Sequence, residues 1–333
     1  MTPPTLEQVE AQADTFRDCF EHLRTEISRV FVGQQTLVEQ LIICFVCQGH
    51  ALIEGAPGLG KTMLIRTLAE AVDLRFARVQ CTPDLMPADV TGTNILVETP
   101  AGLREFAFHR GPIFAHVVLA DEINRATPRT QSAFLEAMQE RHVTVFGVSH
   151  TIDEPFSVFA TQNPIEMEGT YPLPEAQLDR FFFKLSVQPP TIDELAEIMA
   201  RTTGEVRPEV QARFGADVLR SMAAFIRHVK IGGETMRHVL RIIRATHPDT
   251  EEAPASVRTY VRYGASPRGA QAIVLAAKTL ALLSRRYHVS LDDVRRIVVP
   301  ALSHRLILNF HGEMEHVAPT TLVEQVVDSV LSR

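Results

Sequence analysis

Val9, Ala13, Phe16, Phe20, Leu23 and Ile27 recur every three or four residues, and this period predicts an amphipathic helix over residues 5–29. Val32, Gly33 and Gln34 interrupt it before a second helix. Residues 50–54 form a short strand that runs straight into a glycine-rich turn, and residues 63–72 form the helix that follows. Residues 76–80, 117–120, 156–160 and 182–187 are further strand candidates, each separated from the next by helical or loop stretches. Strands that alternate with helices argue for a parallel sheet covered by helices on both faces.

Two insertions break this rhythm. Residues 95–97 and 103–108 flank the turn formers Pro100, Ala101 and Gly102, and residues 142–146 and 148–152 flank Gly147, so two β-hairpins are expected. After Pro189 and Pro190 the strands disappear and the pattern is helical, broken only by Gly232–Gly233 and a polar stretch over residues 247–255. The chain is therefore divided into a core over residues 1–189 and a small α-helical domain over residues 190–333, a division that a length of 333 residues favours.

Composition narrows the class. The longest uninterrupted apolar run covers only residues 41–47, and the first thirty residues carry no basic segment followed by an apolar one, so the expectation is a cytoplasmic protein without a membrane span. A net charge of −7 and a pI near 6.0 argue against a surface that wraps nucleic acid, which draws on clustered Lys and Arg. The four cysteines do not suggest a disulfide framework. Cys44 and Cys47 form a C-x-x-C, but they lie inside the apolar run without a second pair, so buried thiols are expected rather than a metal or redox site.

The chemistry concentrates at three strand ends. Gly55, Ala56, Pro57, Gly58, Leu59, Gly60, Lys61 and Thr62 fit G-x-x-x-x-G-K-[ST] at every fixed position, between a predicted strand and a predicted helix that continues from Met63. Glycines there let successive N–H groups face a phosphate chain, Lys61 reaches the β- and γ-phosphates, and the Thr62 hydroxyl ligates Mg²⁺. The strand at residues 117–120 ends in Asp121 and Glu122. Asp121 is placed on the Mg²⁺ and Glu122 on the attacking water, although two acids can equally start a helix over residues 124–140. The strand at residues 156–160 leads to Asn163 and Pro164, which put an amide beside that water or simply form a turn.

These segments, in this order, resemble an AAA+ ATPase and more narrowly the MoxR family. The likeness is carried by residues 54–62 (EGAPGLGKT), 110–114 (RGPIF), 120–126 (ADEINRA), 131–140, 160–164 (ATQNP), 168–181 (EGTYPLPEAQLDRF) and 264–269 (GASPRG), and it spans residues 32–305. Thr127 and Arg129 depart from the family wording, where proline and lysine are usual, without touching the chemistry. The resemblance implies that Asn163 is sensor 1, that Arg268 is a lid sensor reaching the γ-phosphate in its own subunit, and that Arg180 is a finger reaching a neighbour's nucleotide. It also implies that Gly33 and Gln34 pack on adenine and that the hairpins line the pore of a hexameric ring, as in the helix-2-insert branch.

From the residues alone the assignments are looser. Arg180 has Asp179 and Glu175 as candidate salt-bridge partners. Arg268 follows the helix-starting pair Ser266–Pro267, where a cation opposes the helix dipole and so hints at an anionic partner. Arg125 and Arg129 also follow the acidic strand end, and the sequence does not choose which arginine approaches a neighbour.

The expected activity is hydrolysis of ATP to ADP and phosphate. The family implies that this drives remodelling, maturation or metal loading of a client protein together with a von Willebrand factor A domain partner. The competing readings are a nucleotide-regulated binding switch with little turnover, a nucleic-acid motor, and, as a minor variant, a magnesium-chelatase-like subunit.

Overall fold

The computed structural model describes residues 6–98, 104–163, 169–204 and 209–332. Its centre is a five-stranded sheet of β1 (Ala51–Glu54), β2 (Phe76–Gln80), β3 (Val117–Asp121), β4 (Ser157–Gln162) and β5 (Phe183–Ser186). The spatial order is β5-β1-β4-β3-β2, and every pairing is parallel, so all five carboxyl ends emerge along one edge. The expected strand segments are those observed, to within one or two residues at their ends.

Why the sheet is covered on both sides follows from the two-residue period of a strand. Ile53, Leu119, Phe159 and Leu185 face one core, shared with α1 (Leu6–Val30), α2 (Gln35–Val46) and α3 (Lys61–Ala71). Leu52, Val118, Val158 and Ala160 face a second core, closed by α4 (Pro128–Glu140) through Phe134, Leu135 and Met138. These side chains are essentially fully buried, and each large one contributes about 1.5–3 kcal/mol by leaving water.

Both insertions are antiparallel hairpins. Strands Gly92–Glu98 and Arg104–Arg110 pair from Gly92↔Arg110 to Glu98↔Arg104, and the expected turn at Pro100, Ala101 and Gly102 lies outside the described residues. Strands His142–Val145 and Val148–Thr151 are joined by Phe146 (φ 48°) and Gly147 (φ 80°), the pair of positive φ values that a tight two-residue hairpin turn requires. Phe106 and Phe146 are 75% and 77% exposed, so neither hairpin hides its aromatic in the core.

Two expectations need correction. Strands do not vanish after residue 189: Phe214–Gly215 pairs in parallel with Val72–Asp73, and Val261–Tyr263 pairs antiparallel with Ile307–Leu308. Such two- and three-residue ladders carry too few side chains to leave an alternating pattern. The helix expected over residues 124–140 is also split, into a 3₁₀ turn Ile123–Arg125 and α4, because Pro128 disfavours helical backbone at Thr127 and is itself well placed as a first helical residue. Thr127 instead caps α4, accepting from the Thr130 N–H.

The remaining chain is built from α5 (Ile192–Thr203), α6 (Ala216–His228), α7 (Gly233–Ala245), α8 (Pro267–Leu283), α9 (Leu291–Leu302) and α10 (Pro319–Leu331). Helix α1 packs on α3 and also on α8, and Arg17 donates to the Leu282 carbonyl at 3.3 Å, so the amino-terminal helix bridges the sheet and the helical region. Cys44 is buried and Cys47 half-buried among these helices, where burial raises the Cys44 thiol well above its usual range and pushes Cys47 up to about 12. Both are protonated, unreactive packing groups. Among the described residues no helix is long and apolar enough to cross a membrane.

Two buried histidines set an acid limit on this fold. His50 accepts from the Val158 N–H at 2.9 Å and contacts the Met138 carbonyl at 3.2 Å; burial, with the Arg141 charge, pushes its pKa down to about 3. His304 is lowered well below its usual value by burial and by Arg305. Both are neutral when folded and protonate near pH 6.5 when unfolded, so the unfolded state binds more protons on acidification. Stability is therefore expected to be intact above about pH 6.5 and to fall as pH drops toward 3. His50 alone contributes about 1.4 kcal/mol per pH unit, or about 2 kcal/mol by pH 5. Urea unfolding at pH 7 and pH 5 checks this, and equal midpoints would contradict it.

Candidate active site

The P-loop turns directly off β1. Gly58 (φ 80°) and Gly60 (φ 78°) take left-handed backbone that a side chain would strain, and a Cβ at Gly58 would meet nothing within 4 Å, so the loop borders open space. Gly60 is the residue before α3, which starts at Lys61, two residues earlier than the sequence pattern suggested. The positive end of α3 therefore lies at the loop. Lys61 Nζ folds back to donate to the Gly55 and Ala56 carbonyls at 2.6 and 2.8 Å.

Strand order brings the acids to this loop. Because β4 lies between β1 and β3, the ends of all three converge on a cleft of about 410 Å³ lined by Gly58, Gly60, Lys61, Thr62, Met63, Asp121, Glu122 and Asn163, among others. Pro57 and Leu59 also line it. Thr62 Oγ1 donates to Asp121 Oδ2 at 3.1 Å, and Thr161 Oγ1 donates to Asp121 Oδ1 at 2.6 Å. Burial works against the charge on Asp121, but the hydrogen bonds from Thr161, Arg78 and Thr62 outweigh it and hold the carboxyl below its ordinary pKa. It is an anion at neutral pH.

Glu122 breaks the strand with left-handed backbone (φ 57°), a conformation that costs a non-glycine residue of order 1 kcal/mol and that concentrates at functional sites. Its N–H donates to Thr161 Oγ1 at 2.8 Å, which fixes the turn. Its carboxylate Oε2 receives Arg125 at 3.0 Å and Gln80 Nε2 at 3.2 Å. Asn163 is buried at the end of β4 on the same cleft. Pro164, and the family segment through Glu168, lie outside the described residues.

Three further residues line the cleft whose roles the sequence pattern does not show: Arg78, Gln80 and Thr161. Arg78 Nε and Nη2 reach Asp121 Oδ2 at 3.0 and 2.7 Å, and Nη2 also donates to Gln80 at 2.7 Å. The signal available was the polar pair two residues apart at the end of β2, which faces Asp121 in register (Gln80↔Asp121). It becomes meaningful only once β2 is known to neighbour β3.

The donors suit Mg²⁺ and a triphosphate. A hydroxyl and an ionised carboxylate are hard oxygen ligands, and Mg²⁺ bound to nucleotide needs only one or two protein ligands beside phosphates and water. The position beside Asp121 Oδ2 already attracts a positive charge, that of Arg78.

Other predicted residues lie outside the cleft lining. Gly33 and Gln34 form a left-handed turn before α2; the Gln34 amide exchanges two hydrogen bonds with the Gln188 backbone, and the Glu194 carboxylate sits against Gly33. Arg180 is half-buried and donates to the Leu135 carbonyl at 2.6 Å rather than to Asp179 or Glu175. Arg268 is in the first turn of α8, as expected behind the Ser266 cap, and pairs with Asp179 at 3.3 Å. Arg129 is exposed on the first turn of α4.

Comparison with known proteins gives a consistent picture. A family model described as "ATPase family associated with various cellular activities (AAA)" matches residues 50–183, and an AAA lid domain model matches residues 254–326. The chain is 41% identical over 310 residues to Chaperone MoxR1 of Mycobacterium tuberculosis, covering 92% of this chain and 80% of that one. It is 38% identical over 307 residues to the uncharacterized protein YeaC of Bacillus subtilis, covering 91% and 92%. Protein MoxR of Paracoccus denitrificans is 29% identical over 306 residues, covering 87% of this chain and 89% of that one. A crystal structure of a protein assigned as an ATPase, from Cytophaga hutchinsonii, superposes with a TM-score of 0.89 at 35% identity, covering 97% of this chain and 98% of that one.

Proposed function

The chain belongs to the MoxR family of AAA+ ATPases, and from that premise we propose that it hydrolyses ATP with Mg²⁺ in a ring, most simply a hexamer, that remodels a client protein. The observation that carries this reading is the meeting of Lys61, Thr62, Asp121, Glu122 and Asn163 at one sheet edge. A protein that only bound nucleotide would need the first three and not the last two.

In this reading the P-loop N–H groups and the α3 terminus hold the phosphates, and Lys61 exchanges its bonds to the Gly55 and Ala56 carbonyls for the β- and γ-phosphates. Thr62 and Asp121 would hold Mg²⁺, which would supply charge neutralisation for the phosphates. Glu122 accepts the proton of the attacking water, and Asn163 orients that water. Arg268 reaches the γ-phosphate of its own subunit and Arg180 that of a neighbour. Gly33 and Gln34 border the base. The helical lid begins after residue 189, and the exposed hairpin aromatics Phe106 and Phe146 face the ring's pore, where they grip the client.

The cytoplasm is the proposed location. A partner with a von Willebrand factor A domain, and client maturation or metal loading, complete the proposal by family likeness. The net charge of −7 weighs against a nucleic-acid motor. Nucleotide binding is tested with Lys61→Ala: removing a cation that makes two charge-assisted bonds to phosphate is expected to weaken affinity for a fluorescent ATP analogue by about 10²-fold or more. Unchanged affinity, or wild-type protein that releases no phosphate under any assembly condition, would sink the reading.

A further inference from the structure

Arg180 follows Asp179 at the end of the short helix Glu175–Leu178, and Asp179 is where this segment meets the helical region. Its Oδ1 accepts from Ser266 Oγ at 2.7 Å and from Arg305 Nε at 3.0 Å, and its Oδ2 accepts from Arg268 at 3.3 Å. Its main-chain carbonyl accepts from Arg305 Nη2 at 3.1 Å. Arg305 is only 5% exposed, and its guanidinium also reaches the carbonyls of Phe181 at 2.7 Å and Phe182 at 3.3 Å. The backbone on both sides of Arg180 is thus held by one buried cation just past α9, while the carboxylate before it is gripped from α8 as well.

Such a junction has a consequence if Arg180 and Arg268 act as proposed above, and the inference rests on that reading. The two arginines serve opposite sites, a neighbour's and the chain's own, yet one carboxylate binds the second and directly precedes the first. Arg268 cannot turn to a γ-phosphate without releasing Asp179 Oδ2, and any displacement of α8 or α9 pulls on Asp179 through charge-assisted bonds. We infer that Asp179 is a positioning residue through which the chain's own lid sets Arg180, so that the finger offered to the neighbouring subunit follows the state of the subunit that carries it. A misplacement of about 1 Å in such a group costs on the order of 10² in rate.

An ordinary structural tether would also lose activity when broken, so the test uses mixed rings. Asp179→Asn in the full chain keeps the shape and one acceptor but removes the charge. On its own it is expected to lower kcat about 10²-fold with the KM for ATP within about 2-fold. Mixed one to one with Glu122→Gln, it should release phosphate faster than the sum of the two variants assayed apart, because each Glu122→Gln subunit lends an intact Arg180 to an Asp179→Asn site that still has its acid. Co-elution on a tag carried by one variant confirms mixing, and Arg180→Ala with Glu122→Gln is the reference pair.

Recovery in the reference pair but not with Asp179→Asn would overturn the inference, since Asp179 would then act on its own site or on the fold. Wild-type turnover by Asp179→Asn alone would overturn it too. Absence of recovery in the reference pair would instead remove the trans role of Arg180, and the inference with it. If circular dichroism shows Asp179→Asn unfolded, Arg305→Lys replaces it: the buried charge stays, but the fork across the carbonyls of Asp179, Phe181 and Phe182 is lost. The same recovery is expected, and its absence beside a recovering reference pair overturns the inference.

Discussion

Arg180→Ala is expected to lower steady-state phosphate release by about 10³ to 10⁵-fold, the range for an arginine that stabilises a phosphoryl-transfer transition state from outside the site, while ATP affinity changes little. The geometry distinguishes it from the other arginines near the nucleotide edge. Arg125 is paired with Glu122 of its own subunit at 3.0 Å, so its removal disturbs the chain's own acid. Arg129 projects from the exposed first turn of α4. Among the described residues Arg180 neither lines the cleft nor pairs with an acid; its guanidinium is parked on the Leu135 carbonyl, a neutral acceptor that a neighbour's phosphate would outcompete. Phosphate release by assembled Arg180→Ala, compared with Arg129→Ala, is the measurement. A loss confined to Arg129→Ala would reassign the finger, and wild-type rates in both would remove it.

Much of this architecture is legible in local pattern. The inner strands β1, β3 and β4 are apolar runs because they are buried on both faces, and Phe159 and Leu119 read as core without knowledge of their neighbours. The P-loop and the Asp121–Glu122 pair are contiguous in sequence, so their chemistry is written in one place. Arg78 is the counter-example. Its contact with Asp121 spans 43 positions and exists only because β2 sits beside β3, an order that hydrophobic period does not encode. Likewise the grip of Arg305 on residues 179–182 joins segments more than a hundred positions apart, and a lone arginine after a helix gives no hint of it.

The helical region shows the opposite limit. Ile192, Leu195 and Met199 have the spacing of a buried helix face, yet all three are exposed, at 85%, 45% and 51%. Period says that a face is apolar and not what covers it. The hairpins follow from their turn residues, but the exposure of Phe106 and Phe146 does not, because a turn pattern says nothing of what covers the strands beside it.

Glu122→Gln separates turnover from binding more cleanly than any change in the P-loop. The substitution is nearly isosteric, and the glutamine carbonyl can still accept from Arg125 and Gln80, which hold Oε2 at 3.0 and 3.2 Å. The left-handed turn at residue 122 is fixed by a backbone bond to Thr161 that the side chain does not touch. The cleft should therefore keep its shape, and Asp121, Thr62 and Lys61 should keep their affinity for the Mg²⁺ complex of ATP. What disappears is a basic oxygen able to take a proton from water, a loss of about 10² to 10⁴ in rate. Single-turnover phosphate release, with bound ATP measured on the same sample, should show a full complement of nucleotide that is hardly split. Equal rates in wild type and variant would mean that the proton goes elsewhere, and the catalytic role of Glu122 would fall while the nucleotide site stood. A variant that failed to bind ATP would place Glu122 among the groups that hold the nucleotide, an arrangement that its contacts with Arg125, Gln80 and Thr161 do not support.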